Sequence, residues 1–171
     1  MKPLEPEDRR HVEAAQGWLE LGNQVEANER LEKIAAANRA HPDVFQVRWN
    51  VYARVAKWDA CLDIATALTA TVPDRRFGWV HRGFSLRKLN RHSEALAVYG
   101  EAVERFGMNP TFALGLACCH ARLGDLTAAR RHLGLAMSLA EDEMTQQRLN
   151  AKARQEPELE PLWHSPGAAG S

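Results

Sequence analysis

Apolar residues return every three or four positions along most of the chain, the spacing that lines one face of a helix. One set of such stretches carries aromatic and aliphatic residues: Val12, Ala15, Trp18 and Leu19; then Phe45, Trp49 and Tyr52; then Trp79, Gly83 and Leu86; then Leu116, Cys119, His120 and Leu123. Each is followed by a polar break at Gly22, Ala56 and Lys57, Asn90 or Gly124. Gly and Asn tolerate the left-handed backbone that ends a helix, so three of the four breaks hold a suited residue. After each break comes a second helical stretch with a small–large–small order: Ala27/Leu31/Ile34, Cys61/Ala65/Leu68, Ala95/Tyr99/Ala102 and Ala129/Leu133/Ala136. Strand-like alternation of useful length is missing. The pattern predicts an all-α chain.

The breaks and helices recur at one fixed interval. LELGNQVEANERLEKI starts at 19, ARVAKWDACLDIATAL at 53, RKLNRHSEALAVYGEA at 87 and ARLGDLTAARRHLGLA at 121, so each start lies 34 residues after the last. A period in this range marks a repeat array. The small residues then have a purpose. Two antiparallel helices joined by a short turn approach closely only where side chains are small, and larger neighbours fill the space beside them. One hairpin cannot bury its apolar face alone, but a stack of them makes a continuous core. Pro42, Pro73 and Pro110 stand at or near the unit boundaries, where helices start or stop.

With units numbered from residues 8, 42, 76 and 110, the third holds Trp79, Gly83, Ala95, Tyr99 and Ala102, while Arg82 and Leu86 depart from the pattern described next, which has Leu and Tyr there. The fourth holds Leu116, Ala117, Gly124, Ala129 and Ala136; the second Phe45, Tyr52, Trp58 and Pro73; the first Trp18, Gly22 and Ala27. These positions resemble the tetratricopeptide repeat (TPR), whose 34-residue unit carries W-x2-L-G-x2-Y, two small residues around a large one, and a Pro. The resemblance covers about residues 8 to 140. It implies a right-handed α–α superhelix, a TPR-like solenoid of four helical hairpins plus a C-terminal capping helix. One departure stands out: Trp49 occupies a close-contact position where Gly or Ala is usual, so either the first two units are expected to be splayed or their first helices rotated.

The expected organisation is an N-terminal extension (1–7), four TPR-like repeats (8–140), a capping helix (141–155) and an acidic Pro/Leu/Trp tail with a disordered end (156–171). EDEMTQQRLNAKARQ at 141–155 is a good helix former with acidic residues at its start. Without Gly or Pro between Gly134 and Pro157, it either caps the array or continues the last repeat helix. In the tail, Glu156, Glu158 and Glu160 interleave with Leu159, Leu162 and Trp163. Such a segment fits a basic and apolar groove in cis, or simply caps the last repeat.

Composition narrows the function. The 22 basic residues balance 22 acidic ones, so no net field draws the chain to nucleic acid or an anionic membrane. The start, MKPLEPEDRR, has no apolar core and does not read as a secretory signal, and no apolar run approaches 18 residues. Three cysteines, two of them adjacent, are no disulfide framework, and the chain reads as cytoplasmic.

The TPR resemblance places the first helices of each unit along a concave groove. The candidate partner-binding residues are Asn50 and Arg54, then Val80, His81, Phe84, Arg87 and Lys88, then Leu114, Cys118 and Arg122, with Gln46, Phe77, Thr111 and Gly115 beside them. Val80, Phe84 and Leu114 are apolar; Arg54, Arg87, Lys88 and Arg122 form a basic row. This suits an acidic peptide or partner helix with apolar anchors, or the row is only a solvated helix edge. TPR domains that hold chaperone tails clamp a carboxylate with a Lys/Asn/Asn/Lys/Arg set. Here Val12, Gln16, Val47, Phe77 and His81 occupy those places, and the clamp is absent. Cys118, Cys119 and His120 project about 100° apart from one another on a helix, so they cannot converge on one metal. No nucleophile triad, phosphate loop or carboxylate pair is recognisable. The expectation is a non-catalytic protein-interaction module with no cofactor and no metal. The alternatives are a small TPR chaperone of the type III secretion translocator class and a structural, self-assembling scaffold.

Overall fold

The computed structural model describes residues 2–164. All their regular structure is helical: α1 (Pro6–Glu20), α2 (Gln24–Glu32), α3 (Pro42–Arg54), α4 (Trp58–Thr71), α5 (Arg76–Lys88), α6 (His92–Phe106), α7 (Pro110–Arg122), α8 (Leu126–Ser138), α9 (Glu143–Gln155) and α10 (Glu160–His164). Two 3₁₀ turns, Ala36–Asn38 and Pro157–Leu159, complete the order. The Gly/Ala/Ser end of the tail, expected to be disordered, lies outside the described residues. No described helix is long and apolar enough to cross a membrane.

Helix ends follow from local chemistry. Pro42 and Pro110 open α3 and α7, where a missing N–H costs nothing. Asn109 caps α7 by accepting from the amides of Thr111 and Phe112, at 3.0 and 3.1 Å. Asn23 and Asp125 cap α2 and α8 through the amides of Glu26 and Ala128. Gly22, Asn90 and Gly124 take positive φ at three hairpin turns. The turn between α3 and α4 instead places Ala56 itself at φ 54°. A Cβ there meets the following carbonyl, at a cost of roughly 1–2 kcal/mol. Asp142 caps α9 through the Thr145 amide at 2.6 Å, so α9 is a separate helix and not an extension of α8.

The described chain clusters into two compact units, with the boundary after Ser85, inside α5. In the first unit, α1 pairs with α2 and α3 with α4, and α3 also packs on α1 and α2. Its core joins Val12, Ala15 and Leu19 to Ala27, Leu31 and Ile34, and to Val44, Val47 and Val51. Leu4, ahead of α1, is buried in the same cluster. Asp8 is buried as well. Its carboxylate accepts from the Ala35 amide at 3.0 Å and the Asn38 side-chain amide at 2.6 Å, tying the start of α1 to the turn after α2. Those two hydrogen bonds, the Asn38 one foremost, hold its pKa below the usual 3.8.

In the second unit, α7 pairs with α8 and α6 packs on α7. The small positions read from the sequence are interior throughout: Ala95, Ala102, Ala129 and Ala136 have no exposed surface, and the same holds for Ala27, Cys61 and Ala65 in the first unit. Close packing also explains Gly115. A Cβ there would stand 2.5 Å from Cζ of Tyr99, so α7 lies on the tyrosine ring. Gly115, read from the resemblance as a groove position, is a packing contact against Tyr99. Phe112, Leu31, Ile34 and Leu159 are among the largest fully buried side chains, each contributing about 1.5–3 kcal/mol.

Candidate partner-binding surfaces

Each unit presents one surface built mainly from first helices of the repeats. In the first unit, α1 and α3 border a cleft of about 630 Å³. Its apolar part is Trp49, Trp58 and Phe84; its polar part is Gln16, Glu20, Asn50 and Arg54. Trp49 organises the apolar side. Its indole N–H donates to Oγ of Ser85 at 3.2 Å, and that hydroxyl donates to the His81 carbonyl at 2.8 Å. Phe84 meets Trp49 and Trp58 edge-on, at centroid distances of 6.0 and 5.8 Å. His81 stacks on Phe77 at 3.7 Å and meets Trp49 edge-on. A large indole thus replaces the usual small residue at this contact, because Cys61 and Ala65 opposite leave it room.

In the second unit the corresponding face is covered by the chain's own tail. Arg87, at the end of α5, is 4% exposed. Its Nη2 lies 2.7 Å from a Glu156 oxygen and 3.0 Å from a Glu158 oxygen, and its Nε donates to Glu158 at 3.2 Å. Leu159 is fully buried among Ala113, Leu114, Ala117, Cys118 and Ala121 of α7. Further along, Leu162 and Trp163 pack near Leu133, Gly134 and Met137 of α8. The Arg154 guanidinium sits 5.0 Å from the centre of the Trp163 ring.

The charges explain why this buried contact holds. Burial alone would raise the Glu158 pKa, but the charge and hydrogen bonds of Arg87 outweigh it and hold the carboxyl below 4.5. Arg87 has the converse balance: burial opposes its charge, and the acidic groups around it restore it. Two buried carboxylates facing one guanidinium leave excess negative charge, and Lys88 and Arg122 border the same small cavity of about 170 Å³. His92 borders it too, with neither ring nitrogen finding a hydrogen-bond partner among the described residues and its pKa lowered, chiefly by burial.

Cys118, Glu156 and Glu158 bring three ligand-type atoms within 4.8 Å of one another. Both carboxylates already engage Arg87, and burial pushes the Cys118 thiol up to about 12. A cation would have to displace the guanidinium and deprotonate that thiol, so the donor set does not fit a metal. Cys119 is likewise pushed up to about 12 and Cys61 to about 11, both by burial, as expected of packing cysteines.

The predicted row therefore divides. Asn50, Arg54 and Phe84 line the cleft of the first unit; His81 belongs to the aromatic cluster behind it, and Val80 is half-buried. Lys88 is half-buried and Arg122 exposed in the second unit. Arg87, Leu114 and Cys118, candidate groove residues, are buried, because residues 156–159 lie on them. Sequence reading also passed over Leu19, Glu20, Trp49 and Trp58 as cleft residues. The 34-residue register carries the signal for Glu20, since Arg54 stands one period after it.

No protein-family model matches the chain, and no curated protein matches its sequence. Among solved structures, a thermophilic TPR protein of Thermus thermophilus superposes with a TM-score of 0.71 at 17% identity, covering 88% of this chain and 82% of its own. MamA MSR-1 C2 superposes with a TM-score of 0.65 at 16% identity, covering 85% of this chain and 78% of its own. The chain has a TPR-like all-α repeat fold.

Proposed function

We propose that the chain is a non-catalytic protein-interaction module whose α5–α7 face recognises acidic segments with apolar anchors, and that its own tail occupies that face in cis. One observation carries the reading: Arg87 is buried between Glu156 and Glu158 while Leu159 fills a hollow of small α7 residues. A guanidinium held by two carboxylates gives direction, and the buried leucine gives affinity. Arg122 and Lys88 extend the basic rim, and a partner helix or peptide with the same alternation of Glu and Leu meets the same groups.

The tail sets a threshold for any such partner. Tethered by a short connection, it acts at an effective concentration in the millimolar range. An outside segment of equal intrinsic strength competes poorly, so a productive partner binds more tightly or arrives when the tail is released. The test uses the full chain with Glu156→Arg and Glu158→Arg, which reverses the two charges that meet Arg87 without touching the face. A synthetic peptide of residues 154–163 is expected to bind this variant at least about ten-fold more tightly than the unaltered chain. Adding Arg87→Glu and Arg122→Glu should abolish that binding in a protein that stays folded. Equal binding to both chains, or none to either, would end the reading.

A further inference from the structure

We infer that the cleft of the first unit is a second recognition site with a different charge rule: it takes a segment of another protein in which a large apolar side chain stands between a basic and an acidic residue. The internal register supplies the argument. Moving Leu19, Glu20, Trp49, Asn50, Ala53 and Arg54 forward by two 34-residue periods gives Arg87, Lys88, Ala117, Cys118, Ala121 and Arg122. The second set is the face that holds the tail; the first set lines the cleft. One architecture thus appears twice, and the occupied copy shows how a chain segment lies on it.

The substitutions between the copies define the occupant. Leu19 stands where Arg87 is, so a carboxylate placed there would be buried without a partner, while an apolar group is welcome. Glu20 stands where Lys88 is and inverts the sign, so the occupant brings a basic group to that side. Arg54 and Arg122 are alike and neither forms an ion pair with a described carboxylate, so Arg54 offers its guanidinium to a carboxylate of the guest. Neither Glu20 nor Arg54 engages in an ion pair with another described residue, so both charges remain to be met by a guest. Between them, Trp49 fills the floor that Ala117 leaves hollow for Leu159, and Trp58 and Phe84 offer ring faces and edges to an anchor. Asn50, half-buried where Cys118 is fully buried, adds an amide that donates to and accepts from a guest's backbone. The tail's own Glu-x-Glu-Leu pattern is the wrong guest here: Glu20 repels it and Leu19 strands its carboxylate.

Selection of a library of random peptides on the full chain tests this. Peptides with an aromatic or aliphatic anchor flanked by one base and one acid are expected. Each should lose at least about ten-fold in affinity on Glu20→Arg or Arg54→Glu, exposed changes that leave the melting curve unaltered. Glu20→Arg should in turn admit acidic segments that the unaltered cleft refuses. Three results would overturn the inference: no enriched peptide, enriched peptides indifferent to both changes, or only acidic binders that are lost with Arg87→Glu. The last would leave the proposal for the α5–α7 face intact, so the two can fail separately.

Discussion

The two units use the same face in opposite ways. In the second, Ala117, Cys118 and Ala121 leave a hollow that Leu159 fills, and Arg87 gathers two glutamates over it. In the first, the matching positions hold Trp49, Asn50 and Ala53, with Leu19 in place of Arg87, and the cleft of about 630 Å³ is open. The backbone period is common to both. What differs is a handful of side chains, and they decide whether the face suits the chain's own acidic tail or a guest of mixed charge. A repeat scaffold thus separates two tasks: the small residues on second helices fix the packing, and the first-helix residues are free to set chemistry.

The comparison breaks most severely where both units depend on the same packing. Ala95→Glu would place an unpaired charge at a position with no exposed surface, at a cost of about 3–5 kcal/mol. That is a large share of the stability of a small domain. Thermal melting followed by circular dichroism should show a collapsed midpoint or no transition, and an unchanged melt would contradict the packing argument.

A smaller and more local effect follows from Arg87→Met, which leaves Glu156 and Glu158 buried without their partner. The loss cannot exceed what the tail gains by docking, because the segment can leave and return its carboxylates to water. Hydrogen exchange should therefore show amides of residues 156–163 losing protection while those of α4 keep theirs. Equal loss in both would mean that Arg87 supports the whole fold.

Acid sharpens the same contrast with no mutation. The Glu158 pKa in the folded chain lies below 4.5, so its carboxylate contributes to docking in full above 4.5, and that contribution is lost as pH falls through the lowered value. Asp8 in the first unit is held below 3.8, and its contribution is lost on descending through its own lowered value. Neither group weakens its contact between neutrality and pH 4.5. Protection factors of the tail and of residues 35–38, that is, exchange corrected for its intrinsic pH dependence, should be constant above pH 4.5 and fall only below. A fall in tail protection near pH 6 would contradict this ordering.

The smallest effect tests the turns. Ala56→Gly relieves the left-handed strain at φ 54°, offset by the extra flexibility of glycine in the unfolded chain. A net gain of about 0.5–1 kcal/mol is expected in urea unfolding. A loss would show that the Ala56 methyl packs usefully.

Much of this architecture is legible in the sequence because it rests on short-range pattern. Ala95, Tyr99 and Ala102 announce their helix pair by spacing, and the 34-residue interval locates the turns at Gly22, Asn90 and Gly124. Ala56 is harder to read, since nothing in an alanine advertises positive φ; only its place in the period points there. The site is half legible. The basic row and the acidic tail are visible as complementary patterns, but which arginine meets which glutamate depends on contacts about 70 residues apart, and Arg87 pairs with both Glu156 and Glu158. Trp49 shows the same limit. Its sequence position suggests a clash, and the answer comes from Cys61 and Ala65 across the hairpin and Ser85 from α5, which give the indole space and a hydrogen bond.

The reactivity of Cys118 tests the central claim most directly, because that thiol lies under the tail while Cys61 lies in the separate core of the first unit. Alkylation by iodoacetamide, assigned to each cysteine by mass spectrometry, should be slow at both sites in the unaltered chain. With Glu156→Arg and Glu158→Arg, the rate at Cys118 should rise about ten-fold or more while Cys61 stays unchanged. An unchanged rate at Cys118, or a parallel rise at Cys61, would contradict the claim that the tail closes the second face.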